Sequence, residues 1–314
     1  MCQADRESAN NIGNAHLNTG HQGENKGRFH PHTTNTIEDK DYTVVNDLGV
    51  ILLNVCGLKS KLKSYEFEEF IQKYKLIFLT ETKLNILDEV NIPNYNIIVN
   101  SRKGAKRSSG GVAILVHESI EKHIQCLDVA IKETLWIKLS NSRKHSSVIF
   151  GLVYNPPEDS PYADSSTLDL IENAIVELTS HNDNTQLCLM GDFNARTGQL
   201  SDNIRIDDHD DLIANDLFFD NDDNSVTDCS LSTPRVNSDK HINNRGRRLI
   251  ELCRSLNLII MNGRYGKDSQ VGKKTCKNSS TVDYVIISAH CIESVSDFAV
   301  MDFEPLFSDI HCPI

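Results

Sequence analysis

From residue 46 onward the chain alternates short unbroken apolar runs with polar clusters. The run in "LGVILLNVCGL" reads as a buried strand ending at Asn54, with Gly57 opening a turn. "SYEFEEFIQKY" spaces Tyr65, Phe67, Phe70, Ile71 and Tyr74 at roughly helical intervals, and "KLIFLTETKL" follows as a second buried strand ending near Glu81. A strand, helix, strand unit with short connections is typical of α/β folds. "YNIIVN", "GGVAILVH", "LWIKLS" and "SSVIFGLVY" predict strands that follow one another without helices, so the sheets are mixed. "TLDLIENAIVELTSH" is the clearest amphipathic helix and leads into the "LCLM" strand of "LCLMGDFNARTG". "NNRGRRLIELCRSLNL" predicts a last helix with Leu249, Ile250, Leu252, Cys253 and Leu256 on one side. "LIIMN", "TVDYVIIS" and "VSDFAVM" supply the remaining strands. No internal repeat at a solenoid period is present.

Two stretches break this rhythm. Residues 1–45 lack periodicity of either kind and read as a disordered head, without the apolar region of a signal peptide. Residues 201–240 hold eleven aspartates and no glutamate against Arg205, Arg235 and Lys240, a net of −8 within a total of −12. They read as a solvated acidic insertion in an otherwise nearly balanced domain over 46–314. The overall charge therefore argues less strongly against a nucleic-acid partner than it first does. Nine scattered cysteines without a CxxC pair suggest neither a disulfide framework nor a zinc site, and fit a reduced intracellular compartment, nuclear or cytoplasmic. No segment is apolar for long enough to span a bilayer, so the chain reads as soluble, with no membrane partner.

The candidate chemistry lies where apolar strands run out. Asn54, Glu81, Tyr154, Asp192 with Asn194, Asp283, and Asp309 near His311 each follow or open such a run. Asp192 and Asn194, two apart, point the same way while Phe193 turns back toward the core. Acidic, amide and imidazole groups gathered at strand ends suit a hard, oxygen-liking cation such as magnesium, with manganese as an alternative. The absence of a serine or cysteine elbow disfavours acyl-enzyme chemistry. "SRKGAKRSSGG" places Arg102, Lys103, Lys106 and Arg107 on what reads as a solvated hairpin, with a phosphate-gripping loop as the other reading. Trp136, the only tryptophan, reads as core, and the histidines at 16, 21, 30 and 32 lack the fixed spacing of a metal site.

In order, "LNVCGLKSKL", "IFLTETKL", "GGVAILVH", "GLVYNPP", "MGDFNARTG", "STVDYVIIS" and "SDIHCPI" resemble the motifs of the endonuclease/exonuclease/phosphatase (DNase I-like) superfamily. "NNRGRRLIELCRSLNLIIMNGR" and "TCKNSSTVDYVIIS" look most like the endonuclease domains of animal non-LTR retrotransposons. The resemblance implies an α/β (α+β) fold, a four-layered sandwich of two packed mixed β-sheets flanked by helices, and metal-dependent phosphodiester hydrolysis. It implies that Glu81 is the main magnesium ligand, with Asn54 beside metal and phosphate and Asp309 a second acidic group there. Tyr154 would contact the phosphate, Asp192 would activate or align the attacking water with help from Asn194, and Asp283 would orient the catalytic His311. The implied function is a DNA endonuclease that nicks target DNA for a retroelement. The alternatives are an inositol-phosphate or phospholipid phosphoesterase of the same fold, or a catalytically decayed binding remnant.

Two departures bear on the site. Cys56 stands where many family members have a metal-side carboxylate, and strand alternation would turn it toward the metal pocket, where a thiol is a poor magnesium ligand. The usual adjacent Ser-Asp-His appears as Ser308-Asp309-Ile310-His311, and a bulge is expected to restore both Asp309 and His311. The chain ends three residues after His311, where the resemblance implies a further edge strand. It reads as the front of a longer polyprotein carrying a reverse transcriptase.

Overall fold

Two sheets pack face to face because almost every strand is apolar on both sides. In a computed structural model, which describes residues 48–102, 109–141, 146–180, 185–203 and 234–314, the first sheet contains β1 (Val50–Asn54), β2 (Leu76–Thr80), β3 (Tyr95–Asn100) and β4 (Val112–His117). Its order is β1-β2-β4-β3, with β1 and β2 parallel and the other pairs antiparallel. The second sheet contains β5 (Ile124–Leu127), β6 (Thr134–Asn141), β7 (Ser146–Tyr154), β8 (Thr185–Asp192), β9 (Leu258–Ile260) and β10 (Asp283–Ser288). Its order is β5-β6-β7-β8-β10-β9, and only β7 and β8 are parallel.

Alternation along the strands sorts the side chains into three buried layers. Leu52 and Phe78 of the first sheet meet Phe150, Leu152, Met190 and Ile287 of the second between the sheets. Their neighbours Ile51, Leu53, Ile77 and Leu79 face outward onto α1 (Leu58–Lys61) and α2 (Tyr65–Ile71), through Leu58, Phe67, Phe70 and Ile71. Ile149, Leu187, Leu189 and Ile286 cover the other outer face with α3 (Thr167–Thr179) and α4 (Asn244–Ser255), through Leu168, Ile171, Leu249 and Leu252. Helix, sheet, sheet, helix is the expected four-layered sandwich. Trp136 is core, its Nε1 donating to Thr134 Oγ1 at 3.1 Å.

Local chemistry fixes the helix starts. Ser64 caps α2 by accepting from Phe67 N, and Asn243 caps α4 by accepting from Gly246 N. Asn243 Oδ1 also takes the Arg196 N–H at 2.9 Å, which ties α4 to the loop after β8. A Cβ on Gly246 would lie 1.9 Å from the Arg196 carbonyl oxygen, so the glycine of "NNRGRR" permits that approach.

The structure departs from the sequence reading in several places. β5 was not anticipated, since its four residues are short and half-exposed and carry no clear periodicity. "VSDFAVM" is not a strand; the segment runs without regular structure while Phe298 and Val300 fill the space between the sheets. After His311 the chain joins the edge of the first sheet, where Ile314 and Leu52 exchange backbone hydrogen bonds of 2.8 and 3.0 Å. The head over 1–45, its histidines, and 204–233 of the acidic stretch lie outside the described residues. All described residues fall in the unit Lys40–Ile314, and among them no helix is long and apolar enough to cross a membrane.

The two described aspartates of the acidic stretch are not solvated. Asp202 is buried with Arg264, its oxygens 2.6 and 2.7 Å from Nη2 and Nη1, and it accepts the Ile260 N–H at 2.6 Å. Asp239 is buried against Arg196 at 2.6 Å. Burial alone would raise the Asp202 carboxyl pKa, but the Arg264 guanidinium outweighs it and holds it below the usual carboxylate value. Removing Asp202 takes a buried carboxylate from Arg264 and the acceptor from the Ile260 N–H. Asp202→Ala should therefore lower stability by about 3–5 kcal/mol in urea unfolding. A loss below about 1 kcal/mol, the scale of an exposed pair, would contradict the structural role of this aspartate.

Candidate active site

Strand register delivers the polar residues to one edge of the sandwich. In the first sheet β1 and β2 end together at Asn54 and Thr80, and Glu81 follows with a left-handed backbone, φ 51°. In the second sheet β7 and β8 end together at Tyr154 and Asp192, and antiparallel β10 begins opposite them at Asp283. Tyr154, Asp192 and Asp283 thus form one row across three neighbouring strands, and paired residues share a face. A Cβ on Gly191, whose φ is 153°, would lie 1.8 Å from the Val153 carbonyl oxygen, so the glycine before Asp192 allows β8 to run this close to β7.

Hydrogen bonds then join the sheets. Asn54 Nδ2 donates to Glu81 Oε1 and to Asp192 Oδ2, each at 3.0 Å. Tyr154 OH donates to Glu81 Oε1 at 3.2 Å. Asp192 Oδ1 accepts the Asn194 N–H at 3.0 Å, and Asn194 Nδ2 donates to the Asn155 carbonyl. His311 Nδ1 lies 2.8 Å from Asp283 Oδ2, which leaves Nε2 directed toward Asp192 Oδ2 at 3.9 Å. Ser308 Oγ donates to the Asn54 carbonyl at 2.6 Å and accepts the His311 N–H, fixing the histidine loop to the end of β1.

The charges in this group are out of balance. Burial, then the facing Asp283, pushes the Asp192 carboxyl up to about 7, although His311 and two hydrogen bonds oppose the shift. Burial disfavours the His311 imidazolium, yet Asp283, by charge and by hydrogen bond, and then Asp192 and Glu81 raise its pKa to about 9. Burial first, then Glu81 and Asp192, keeps the Tyr154 phenol protonated and able to donate. One ligand atom from each of Glu81, Asp192 and His311 lies within 4.8 Å of the others. Two carboxylates and one imidazole make a donor set rich in oxygen, which fits a hard divalent cation. Asp283 Oδ1, buried without a hydrogen-bond partner among the described residues, adds to the negative charge.

Not every expected residue joins the group. The extra Ile310 restores His311 but not Asp309, whose carboxylate is 60% exposed and bonds Lys61 Nζ at 2.9 Å, outside the Glu81–Asp192–His311 cluster. Asn54 turns its nitrogen to both carboxylates, and its oxygen accepts the Cys56 N–H at 3.1 Å, so in this arrangement it positions the carboxylates and offers no ligand oxygen. Cys56 lies beyond the end of β1 with φ 48°, so strand alternation does not place it. Its half-exposed thiol sits at the rim, 2.9 Å from Lys83 Nζ, and burial outweighs the lysine to raise its pKa. Arg102 itself is not solvated: it forms a buried pair with Glu133, while Lys103, Lys106 and Arg107 lie outside the described residues.

Two cations near the site escaped the sequence reading. Lys83, in "TETKL", lies 3.9 Å from Glu81 Oε2. Arg245, in "NNRGRR", donates to the Pro156 carbonyl from a buried position, where desolvation lowers its pKa against the pull of Glu158, Asp192 and Tyr154. Their positions in "TETKL" and "NNRGRR" were the available signal, read only as a strand exit and a helix start.

Residues 51–309 match the sequence profile of the Endonuclease/Exonuclease/phosphatase family. The chain belongs to that family, whose members are hydrolytic nucleases and phosphatases. Among solved structures, an AP endonuclease from Leishmania major aligns with a TM-score of 0.60 and 17% identity, over 85% of this chain and 86% of that one. A 3'-5' exonuclease from Neisseria meningitidis gives 0.53 and 15%, over 85% and 97%. The endonuclease domain of TRAS1, a telomere-specific non-LTR retrotransposon, gives 0.52 and 14%, over 85% and 95%. At these identities the likeness is one of fold. No curated protein matches the chain.

The Asp283–His311 pair can be tested without metal. A pKa raised from 6.5 to about 9 means that the imidazolium stabilises the fold fully below 6.5, and that this contribution is lost as pH rises through about 9. In EDTA, Asp283→Asn should bring the His311 ring titration, followed by NMR, down toward 6.5 and flatten stability across that window. An unmoved titration would exclude Asp283 as the partner.

Proposed function

We propose that this chain is a divalent-metal-dependent DNA endonuclease that nicks target DNA for a retroelement. The observation that carries the hydrolytic reading is the convergence of Glu81, Asp192 and His311, with Asp283 behind the histidine, at the ends of strands from both sheets. Magnesium, or manganese in its place, held chiefly by Glu81 beside Asp192, would neutralise charge on the scissile phosphate. Asp192, oriented by Asn194 N–H and Asn54 Nδ2, is the acceptor for the proton of the attacking water. His311, held through Nδ1, presents Nε2 to a phosphate oxygen, and the Tyr154 hydroxyl, a donor to Glu81 Oε1 in the free protein, is the second donor to the phosphate. Asn54 and Asn194 border the phosphate position, with their amide nitrogens holding Glu81 and Asp192 and the Asn155 carbonyl. No covalent intermediate is required.

DNA as substrate, and a reverse transcriptase elsewhere in a longer polyprotein as partner, are supported by the order of the sequence motifs. The fold shared with the TRAS1 endonuclease domain is consistent with both. A second reading is a phosphatase, and a Neisseria structure of the same fold is described as a 3' phosphatase bound to product DNA hairpin.

A supercoiled plasmid separates these readings. Nicking should require magnesium, stop in EDTA and leave 3'-hydroxyl ends that a polymerase extends without repair. Asp192→Asn should slow it at least about a hundredfold, since general-base assistance is typically worth 10²–10⁴. Nicking by the variant within a few-fold of the parent would remove Asp192 from this role. Release of phosphate from 3'-phosphorylated oligonucleotides or inositol phosphates, without nicking, would establish the second reading.

A further inference from the structure

Beside the site, an arginine is buried in a way that catalysis does not explain. Arg102 is held on three sides: Nε and Nη2 donate to Glu133 at 3.0 and 2.5 Å, and Nη1 donates to Ser109 Oγ at 3.1 Å. Glu133 is itself fixed, for its Oε1 accepts the Gly111 N–H at 2.8 Å and its backbone oxygen accepts the Tyr154 N–H at 3.0 Å. The guanidinium so oriented touches two rings. Its central carbon is 5.9 Å from the ring centre of Tyr154 and 4.0 Å from that of Tyr162.

Tyr162 is therefore one guanidinium away from the tyrosine that bonds Glu81. Unlike Tyr154, which is 5% exposed, Tyr162 is 40% exposed, and its hydroxyl bonds nothing among the described residues. The segment that carries it is anchored near both ends. Asn155 N donates to the Asp192 carbonyl at 2.8 Å, Asn155 O accepts from Asn194, and Asp164 accepts from the backbone and hydroxyl of Ser166. The result is a part-exposed aromatic ring backed by a fixed cation, one guanidinium away from Tyr154 of the candidate site. A ring held in this way loses little freedom when a planar group stacks on it, and every nucleobase offers a π-face.

We propose that Tyr162 is a stacking platform for an unpaired nucleobase flanking the scissile phosphate, with Arg102 and Glu133 as the residues that position its ring. The proposal rests on the nucleic-acid reading above. It assigns the subsite to a base and not to sugar or phosphate, because the part-exposed side chain is aromatic and the nearby guanidinium is already neutralised by Glu133. The competing role is that Tyr162 only shields the Arg102–Glu133 pair from water.

Binding in EDTA, where no strand is cut, separates the two. The probe is a single-stranded oligonucleotide alternating 2-aminopurine and thymine, with a second version carrying abasic sites in place of 2-aminopurine. The parent should quench 2-aminopurine fluorescence and bind the base-bearing strand more tightly than the abasic one. Tyr162→Ala should lose the quench and about tenfold in affinity for the base-bearing strand, the ordinary worth of one stack, with no matching loss on the abasic strand. Tyr162→Phe should restore both. Equal losses on the two strands, or unchanged quenching in a folded Tyr162→Ala protein, would overturn the platform while leaving the nuclease reading to the plasmid assay. A parent that binds neither strand and nicks no plasmid would overturn both.

Discussion

One side-chain amide joins the two halves of this molecule at the point where chemistry is possible. Asn54, at the last position of β1, donates from the same nitrogen to Glu81 of its own sheet and to Asp192 of the other, each at 3.0 Å. Two carboxylates from separate sheets are brought together only if β1 and β8 end at the same height, and the buried layer between the sheets sets that height. Leu52 sits two residues before Asn54, and Met190 two before Asp192; both face inward in that layer. Packing of apolar side chains thereby becomes the placement of charged ones.

The cost of this placement is electrostatic. Asp192 and Asp283 stand opposite each other in register on β8 and β10, both buried. A single imidazolium, His311, bonds one and faces the other. Two neighbouring carboxylates cannot both ionise cheaply away from water, and the rise in the Asp192 pKa expresses that conflict. A divalent cation and a bound phosphate would each change the balance, the first by adding positive charge and the second by using the imidazolium. The partners of a phosphodiester hydrolase would relieve that conflict, whereas the Asp202–Arg264 pair already balances its own charge.

Much of this was legible in the sequence, for physical reasons. Strands buried on both faces appear as unbroken apolar runs, and a polar residue straight after such a run has few places to go except the end of a sheet. That logic located Asn54, Glu81, Tyr154 and Asp192; Asp283 stands at the start of such a run, and His311 was indicated by the motif "SDIHCPI". It failed where local geometry is set by distant partners. Spacing alone does not say which side chain of Asp309-Ile310-His311 loops outward; Lys61, far away in sequence, and Cys56 hold Asp309 at the rim. Alternation does not extend past the last paired residue, so Cys56 was placed by a rule that had already lapsed. Asp202, Asp239 and Arg102 read as solvated because their partners Arg264, Arg196 and Glu133 lie 31 to 62 positions away.

The proposed function requires that the carboxylates of the two sheets converge on one cation. Titrating manganese into the metal-free protein and following the free ion by electron paramagnetic resonance tests it directly, with no dependence on substrate or turnover. The account predicts a single saturable site in the parent. Glu81→Gln should weaken it by at least about a hundredfold, more than the loss of an outer partner of a ligand usually brings. Asp309→Asn should leave it nearly unchanged. Equal manganese affinity in the parent and in folded Glu81→Gln would contradict the claim.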